Sequence, residues 1–323
     1  MKSRKKTFSF DILLLWIAIT TVVILRSIAV SRNLNFEFGY FEDNALISVA
    51  GWLSFGWCIL FLGCALLTKR TVSLIPTYNT PATYIPSALT ATALLFLSKN
   101  LASRFIEFAG RGRLDLSAAL ALLCAMCAVA SAVGLFFYVM IGDRKSPARS
   151  YFLMLISVSF ILYAIYLYFD TTLPINAPNK ITDQLAYVAA SIFFLFEARI
   201  SMGQNNWRWY SAVGYTAAIL CAYSSVPGIS AFFINNEIVS NSIYETILTF
   251  TLFLFITARL ILVDEYVSDT ESSIAGFIRK STAKLDNTAA TLEQEAIHTP
   301  DASEHDSESE EEKASSTAEE DEE

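Results

Sequence analysis

The sequence predicts an all-α, polytopic transmembrane helix bundle of about eight spans, followed by a disordered acidic C-terminal tail. Three observations predict it. Hydrophobic residues make up 54% of the 323-residue chain and charged residues only 17%, against roughly a quarter charged in a soluble globular protein. The charge is also uneven: few charges interrupt residues 12–263, whereas Asp and Glu crowd residues 293–323, so the net charge of −8 belongs mostly to the tail. Finally, apolar windows of the roughly 20 residues needed to cross a bilayer core recur along the chain, bounded by charges or turn residues.

The windows fall at residues 9–30, 45–67, 79–98, 114–141, 150–169, 184–202, 209–232 and 242–263. The first follows Lys2, Arg4, Lys5 and Lys6, which resemble a signal-peptide n-region, but its apolar run continues through Arg26 to Val30 without a small-x-small cleavage site. It reads as an uncleaved span. Gly56 and Gly63 in the second suit close helix approach. The third is the weakest, because Pro76, Pro81 and Pro86 each remove a backbone donor, so its clean helical part is expected near Pro86. A loop leading into an ordinary span is the preferred reading. The alternative is a broken helix whose freed backbone groups line a cavity. The basic stretch that follows, Lys99 to Arg113, sets Leu101, Phe105 and Phe108 at helical spacing and has the pattern of a short amphipathic helix lying in the membrane plane.

In the fourth window Ser117, Ala121, Ala125, Ala128 and Ala132 form a stripe of small residues, the mark of a central packing helix. The same window holds Cys124-x-x-Cys127, formally a CxxC, but inside an apolar run with no histidine, where a thiol behaves as a small hydrophobe. Residues 192–199 align without gaps on 252–259; chance alignment of helical hairpins of like length is the preferred reading, and two hairpins in parallel repeat over the fifth to eighth windows the alternative. Trp207, Trp209 and Tyr210 around Arg208 match an interfacial aromatic belt. The run Ser-Ser-Val-Pro-Gly at 224–228 marks a kink or break at Pro227 and Gly228 in the seventh window.

Three segments follow: a transmembrane bundle over 1–263, a cytoplasmic juxtamembrane segment over 264–298 and a disordered tail over 299–323. In the second, Ile274, Ile278, Leu285, Ala289, Leu292 and Ala296 recur at the spacing of a surface helix or a thin coiled-coil seam. The third contains no aromatic residue and cannot bury enough apolar area to offset chain entropy. Orientation follows from Lys and Arg, which are retained on the cytoplasmic side. With a cytoplasmic start, the basic N-terminus, Lys69, Arg70, Arg144, Lys145, Arg149, Arg199, Arg208, Arg279 and Lys280 lie inside. They outnumber Arg32, Lys99, Arg104, Arg111, Arg113 and Lys180 outside, which predicts that both termini are cytoplasmic; the cell membrane is the expected location, though the charge count does not select it. A seven-span model, in which the third window does not cross, has the smaller margin.

An ionisable group at the centre of a span costs at least about 2.5 kcal/mol on insertion, so such groups are the first candidates for function. Glu197 and Arg259 lie at similar depth near the cytoplasmic ends of the sixth and eighth windows and form a candidate intramembrane ion pair. Snorkelling of each to water is the preferred reading. Arg26, Arg199 and Glu245 near window ends read as anchors, with a substrate role for Glu245 the minor alternative. Pro81, Pro86, Pro227 and Gly228 are the candidate broken-helix positions.

No catalytic, cofactor or metal site is expected. The only histidines, His298 and His305, lie in the polar tail, and no Walker A, dinucleotide or HExxH motif occurs. No basic patch with interleaved aromatics points to nucleic acid. By elimination the chain reads as a non-enzymatic sensor, scaffold or accessory subunit. Its expected partners are the lipid bilayer and a cytoplasmic protein met by the tail. The alternative is a secondary transporter of an apolar, zwitterionic or lipid-like solute. An intramembrane enzyme would have only Glu197 and the inner arginines to draw on.

Overall fold

Proline opens three of the eight helices among the described residues. Pro81, Pro147 and Pro178 each stand in the first turn of a helix, where the missing N–H is one that the helix leaves unpaired anyway and φ is already set. The computed structural model describes residues 10–35, 40–42, 44–67, 80–112, 116–141, 146–170, 177–204, 207–235 and 242–264. In chain order the helices are α1 (Phe10–Asn33), α2 (Asn44–Leu67), α3 (Pro81–Gly110), α4 (Leu116–Met140), α5 (Pro147–Phe169), α6 (Pro178–Ser201), α7 (Trp207–Asn235) and α8 (Ile243–Asp264). Seven of them, all but α3, are long and apolar enough to cross a membrane. The chain is a multi-pass membrane helix bundle.

The expected segments 264–298 and 299–323 fall, apart from Asp264 at the end of α8, outside the described residues. Between α1 and α2 the structure adds a feature with no counterpart in the apolar pattern. Strands β1 (Leu34–Asn35) and β2 (Tyr40–Phe41) pair antiparallel, with Leu34 opposite Phe41. Leu34 and Phe41 are buried with Ala29, Val30 and Ala231.

The third window is corrected on two points. α3 is one uninterrupted 30-residue helix from Pro81, so residues 99–110 continue a helix and do not form a separate one in the membrane plane. Pro86 lies inside it, and the Thr90 hydroxyl returns a hydrogen bond of 2.8 Å to the Pro86 carbonyl. α3 runs antiparallel along α4: Ser87 Oγ donates to the Leu135 carbonyl (3.1 Å) and Ser98 Oγ to the Ala125 carbonyl (2.9 Å). A helix held in that register by a spanning neighbour has the length to span with it. α7 is likewise continuous through Pro227, with Ser230 Oγ donating to the Pro227 carbonyl at 2.8 Å. Of the candidate broken-helix positions, Pro81 therefore opens α3, and Pro86, Pro227 and Gly228 lie within continuous helices.

Helices α3 to α8 pack each on the next and close back from α8 to α3, while α1 and α2 lie against α7. The centre is aromatic. Phe194 stacks on Phe255 with centroids 5.4 Å apart, and Phe160 on Phe194 and Tyr187 at 5.7 and 5.9 Å. Where lipid offers no hydrophobic drive, such van der Waals contact supplies the association.

The stripe on α4 behaves as its spacing implies, with Ala121, Ala125, Ala128 and Ala132 buried. The glycines of α2 do not: a Cβ on Gly56 or Gly63 would meet no atom within 4 Å. Close approach instead occurs between α7 and α8. A Cβ on Gly214 would lie 2.6 Å from Leu260 Cδ2, and one on Gly228 2.9 Å from Thr246 Cγ2. Gly228 is a contact point rather than a break.

Candidate functional site

Among the described residues the charged side chains buried in the bundle gather at two levels, one toward each end of the helices. The first contains the pair singled out from sequence. Glu197 Oε1 accepts hydrogen bonds from Arg259 Nη2 (2.6 Å), Arg259 Nε (3.1 Å) and the Tyr138 hydroxyl (2.8 Å). Both charged side chains are fully buried, so at this site pairing, not snorkelling, satisfies the charge. Arg149, at the start of α5, donates from Nε to the Tyr138 carbonyl (3.1 Å) and from Nη2 to the Ile141 carbonyl. A cation here satisfies carbonyls left over at the C-terminus of α4, where the helix dipole also favours positive charge.

The loop aromatics divide rather than forming a belt. Trp209 is exposed, whereas Trp207 and Tyr210 are buried and Tyr210 packs on Phe193 at 5.2 Å. Arg208 donates to the carbonyls of Ala65 and Leu66 at the end of α2. Arg199 is exposed over Phe196, as an anchor is.

The opposite level draws on the last turns of α1, α3 and α5, the first turns of α6 and α8, and Tyr223 and Ser224 of α7. Arg26, read from sequence as a snorkelling anchor, is only 1% exposed. Its Nη2 donates to Asn179 Oδ1 and Thr182 Oγ1, both at 2.9 Å, and its guanidinium carbon lies 3.9 Å from the centroid of Tyr223. Its Nε and Nη1 make no hydrogen bond. Next to it along α6, Asp183 accepts a hydrogen bond from Ser224 Oγ. Arg104 Nη1 donates to Asp170 Oδ2 (2.7 Å) and the Tyr166 hydroxyl (3.1 Å), which ties the end of α3 to the end of α5. Lys180 Nζ donates to the Asp170 carbonyl.

Glu245 is the second corrected anchor. It is 1% exposed, and its backbone carbonyl accepts from Thr249 Oγ1 (3.0 Å) and Tyr187 Oη (3.4 Å). Its carboxylate faces Tyr163, with Asp183, Asp170 and Arg104 within electrostatic reach. Neither its Oε2 nor the buried Tyr163 hydroxyl has a partner at full hydrogen-bond geometry, and the contact between the two side chains is at most a weak bond. A buried carboxylate without a cation in contact is costly in a low-dielectric interior. This end therefore joins acid, base and tyrosine around groups that hydrogen bonding leaves incompletely satisfied.

Cys124 is a buried thiol and Cys127 a half-buried one. Among the described residues no three His, Cys, Asp or Glu side chains converge as metal ligands would. The apolar windows end at charges, so Asp170 and Asp183 fall just outside them and Lys180 counts in the sequence only as an outer positive charge. The helical start at Pro178 is the signal that places Lys180 and Asp183 inside α6, with its first turn formed before the apolar run begins.

No protein-family model matches the chain, and comparison with curated proteins and with solved structures finds no similar protein.

Proposed function

We propose that the chain is a non-enzymatic membrane sensor, with the Arg26 and Glu245 end as its receiving end and the C-terminal segment as its output. The observation that carries this reading is the placement of α8. This helix starts at the unsatisfied carboxylate Glu245, is fastened to α6 by Arg259 near its other end, and leads directly into residues 265–323. A ligand that changes the balance of charge around Glu245 alters the free energy of one end of a helix whose other end continues into the acidic segment. The basic residues flanking the spans support a receiving end outside and an output in the cytoplasm.

A transporter requires a path between the two membrane faces. The two helices that offered broken backbone for such a path, α3 and α7, are continuous, and α7 closes on α8 at Gly214 and Gly228. This supports sensing over transport. The test is hydrogen–deuterium exchange of residues 265–298 in the full chain in detergent. The charge-neutralising variants Arg26→Gln and Asp183→Asn are expected to change exchange there several-fold while leaving α4 and α5 protected. Identical exchange in wild type and both variants overturns the sensor reading. Zwitterion uptake into proteoliposomes would turn the assignment to a transporter.

A further inference from the structure

The receiving end contains one acid whose surroundings prescribe what it takes. Glu245 lies at the start of α8 between α3, α5 and α6. Facing it are Arg104 from α3, Tyr163, Tyr166 and Asp170 from α5, and Lys180, Asp183 and Tyr187 from α6. Arg104 makes its salt bridge at 2.7 Å to Asp170, and the Lys180 ammonium donates to the Asp170 carbonyl. None of the salt bridges among the described residues includes Glu245. Arg104 and Lys180 thus reach Glu245 only at a distance, while the Asp183 carboxylate and the tyrosine hydroxyls share its surroundings.

Two separate atoms mark the same spot. Glu245 Oε2 and Tyr163 Oη are both buried and neither has a partner at full hydrogen-bond geometry; Tyr163 is directed toward the Glu245 carboxylate, near enough for only a weak bond between the two. Burying two such atoms against each other without completing a bond forfeits the stabilisation of both. A hydroxyl has lone pairs as well as a proton, so Tyr163 can donate to an ionised Glu245, accept from a protonated one, or ligate a hard cation held between them. A large organic ligand has less to recommend it, since the phenol and the carboxylate already face one another. A single small positive charge fits.

We infer that Glu245, with the Tyr163 hydroxyl and the neighbouring Asp183 carboxylate, forms a binding site for one monovalent cation, either H+ or Na+. The inference rests on the reading of this end as the receiving end and names its ligand. Binding neutralises an acid at the first turn of α8, and unbinding restores a buried negative charge beside Asp183. No bond other than the O–H of a bound proton forms, and no other reactant is needed.

The experiment is thermal unfolding of the purified full chain in detergent. Na+ is varied against N-methylglucamine at constant ionic strength, and pH is varied separately, for wild type, Glu245→Gln and Tyr163→Phe. A Na+ site raises the Tm of wild type by about 5 °C or more at a hundredfold excess over Kd. The rise is absent in Glu245→Gln and needs more Na+ in Tyr163→Phe. A proton site leaves Tm indifferent to Na+ but lowers it as pH rises, and that fall, with the protonated-carboxyl stretch in infrared difference spectra, is missing in Glu245→Gln. If wild type and Glu245→Gln respond alike to both Na+ and pH, the inference is overturned. Should Glu245→Gln fail to fold, Tyr163→Phe, which keeps every charge, decides: a response to Na+ and pH identical to wild type overturns the site. No arm reads the C-terminal segment, so failure here leaves the exchange measurement standing, and unchanged exchange beside an intact cation response overturns only the sensor.

Discussion

The Glu197 end and the Glu245 end each bury a carboxylate among tyrosines and arginines, yet they settle it in opposite ways. Glu197 touches its cation: one oxygen takes two donors from Arg259 and one from Tyr138. Its other oxygen makes no hydrogen bond, but the charge is matched at contact distance. Glu245 has arginine and lysine within reach but not in contact, and shares its surroundings with a second acid. A charge matched at contact fastens two helices. A charge left to its neighbours at a distance responds to what arrives. The difference teaches that burial of an acid in a membrane bundle does not by itself assign a role; the distance to the nearest cation does.

The largest effect expected from this contrast is at the fastened end. Glu197→Gln leaves Arg259 fully buried without its carboxylate, and Arg259→Gln does the reverse, so each is expected to destabilise by about 3–5 kcal/mol. The double variant recovers part of the loss, with a coupling of about 0.5–3 kcal/mol in a cycle measured by unfolding in detergent. Additive effects would show that the two charges are satisfied separately and would erase the contrast.

Next come the glycines that seal α7 on α8, one near each end. Gly214→Ala drives a methyl to 2.6 Å of Leu260, adjacent to Arg259, and Gly228→Ala one to 2.9 Å of Thr246, adjacent to Glu245. Leu260 is fully buried and Thr246 is β-branched, so neither yields easily, and each change is expected to cost about 1–3 kcal/mol. Gly56→Ala, which meets open space, serves as the control and is expected to be neutral or to stabilise by up to about 1 kcal/mol from helix propensity. Equal thermal melts for Gly56→Ala and Gly214→Ala would refute the close packing.

At the other end, Glu245→Gln strands no paired cation and removes a buried charge. It is expected to change stability at neutral pH by less than about 1 kcal/mol, or to raise it. A loss as large as that of Glu197→Gln would mean that Glu245 is fastened too.

The bundle and its spans were legible in the sequence because the apolar period and the Lys and Arg flanks act over whole windows. The Glu197 and Arg259 candidate was legible too, since equal depth on two helices of like direction is a one-dimensional property. The second end was not. Whether Arg26 reaches water or Tyr223 depends on which helices stand beside α1, and α1 meets α7 and the start of α6 only in the folded bundle. Asp183 lies outside an apolar window by definition, because helices here begin at proline before the hydrophobic run does. The prolines misled for a related reason. Removal of a donor predicts breakage when a helix is read alone, but Pro81 occupies a first turn, and at Pro86 and Pro227 the helix runs on while packed against its neighbours, with Ser87 bonded to α4 and Gly228 close against α8.

The smallest effect belongs to the region outside both ends. Residues 299–323 contain Asp, Glu, Ser, Ala and Thr in abundance and no aromatic residue, so their sequence offers nothing for a helix bundle to bury. Among the described residues the buried charge network runs from Arg26 to Arg259. Truncation after residue 298 is therefore expected to leave the detergent melting temperature within about 1 °C of the full chain and the Glu197→Gln penalty unchanged. Removing so many like charges also relieves mutual repulsion, which acts weakly at physiological ionic strength because exposed charges are screened beyond about 8 Å. If the truncated chain melts several degrees lower, or if truncation and Glu197→Gln are strongly non-additive, the tail contacts the bundle near Arg259. The fastened end would then be an interface between bundle and tail.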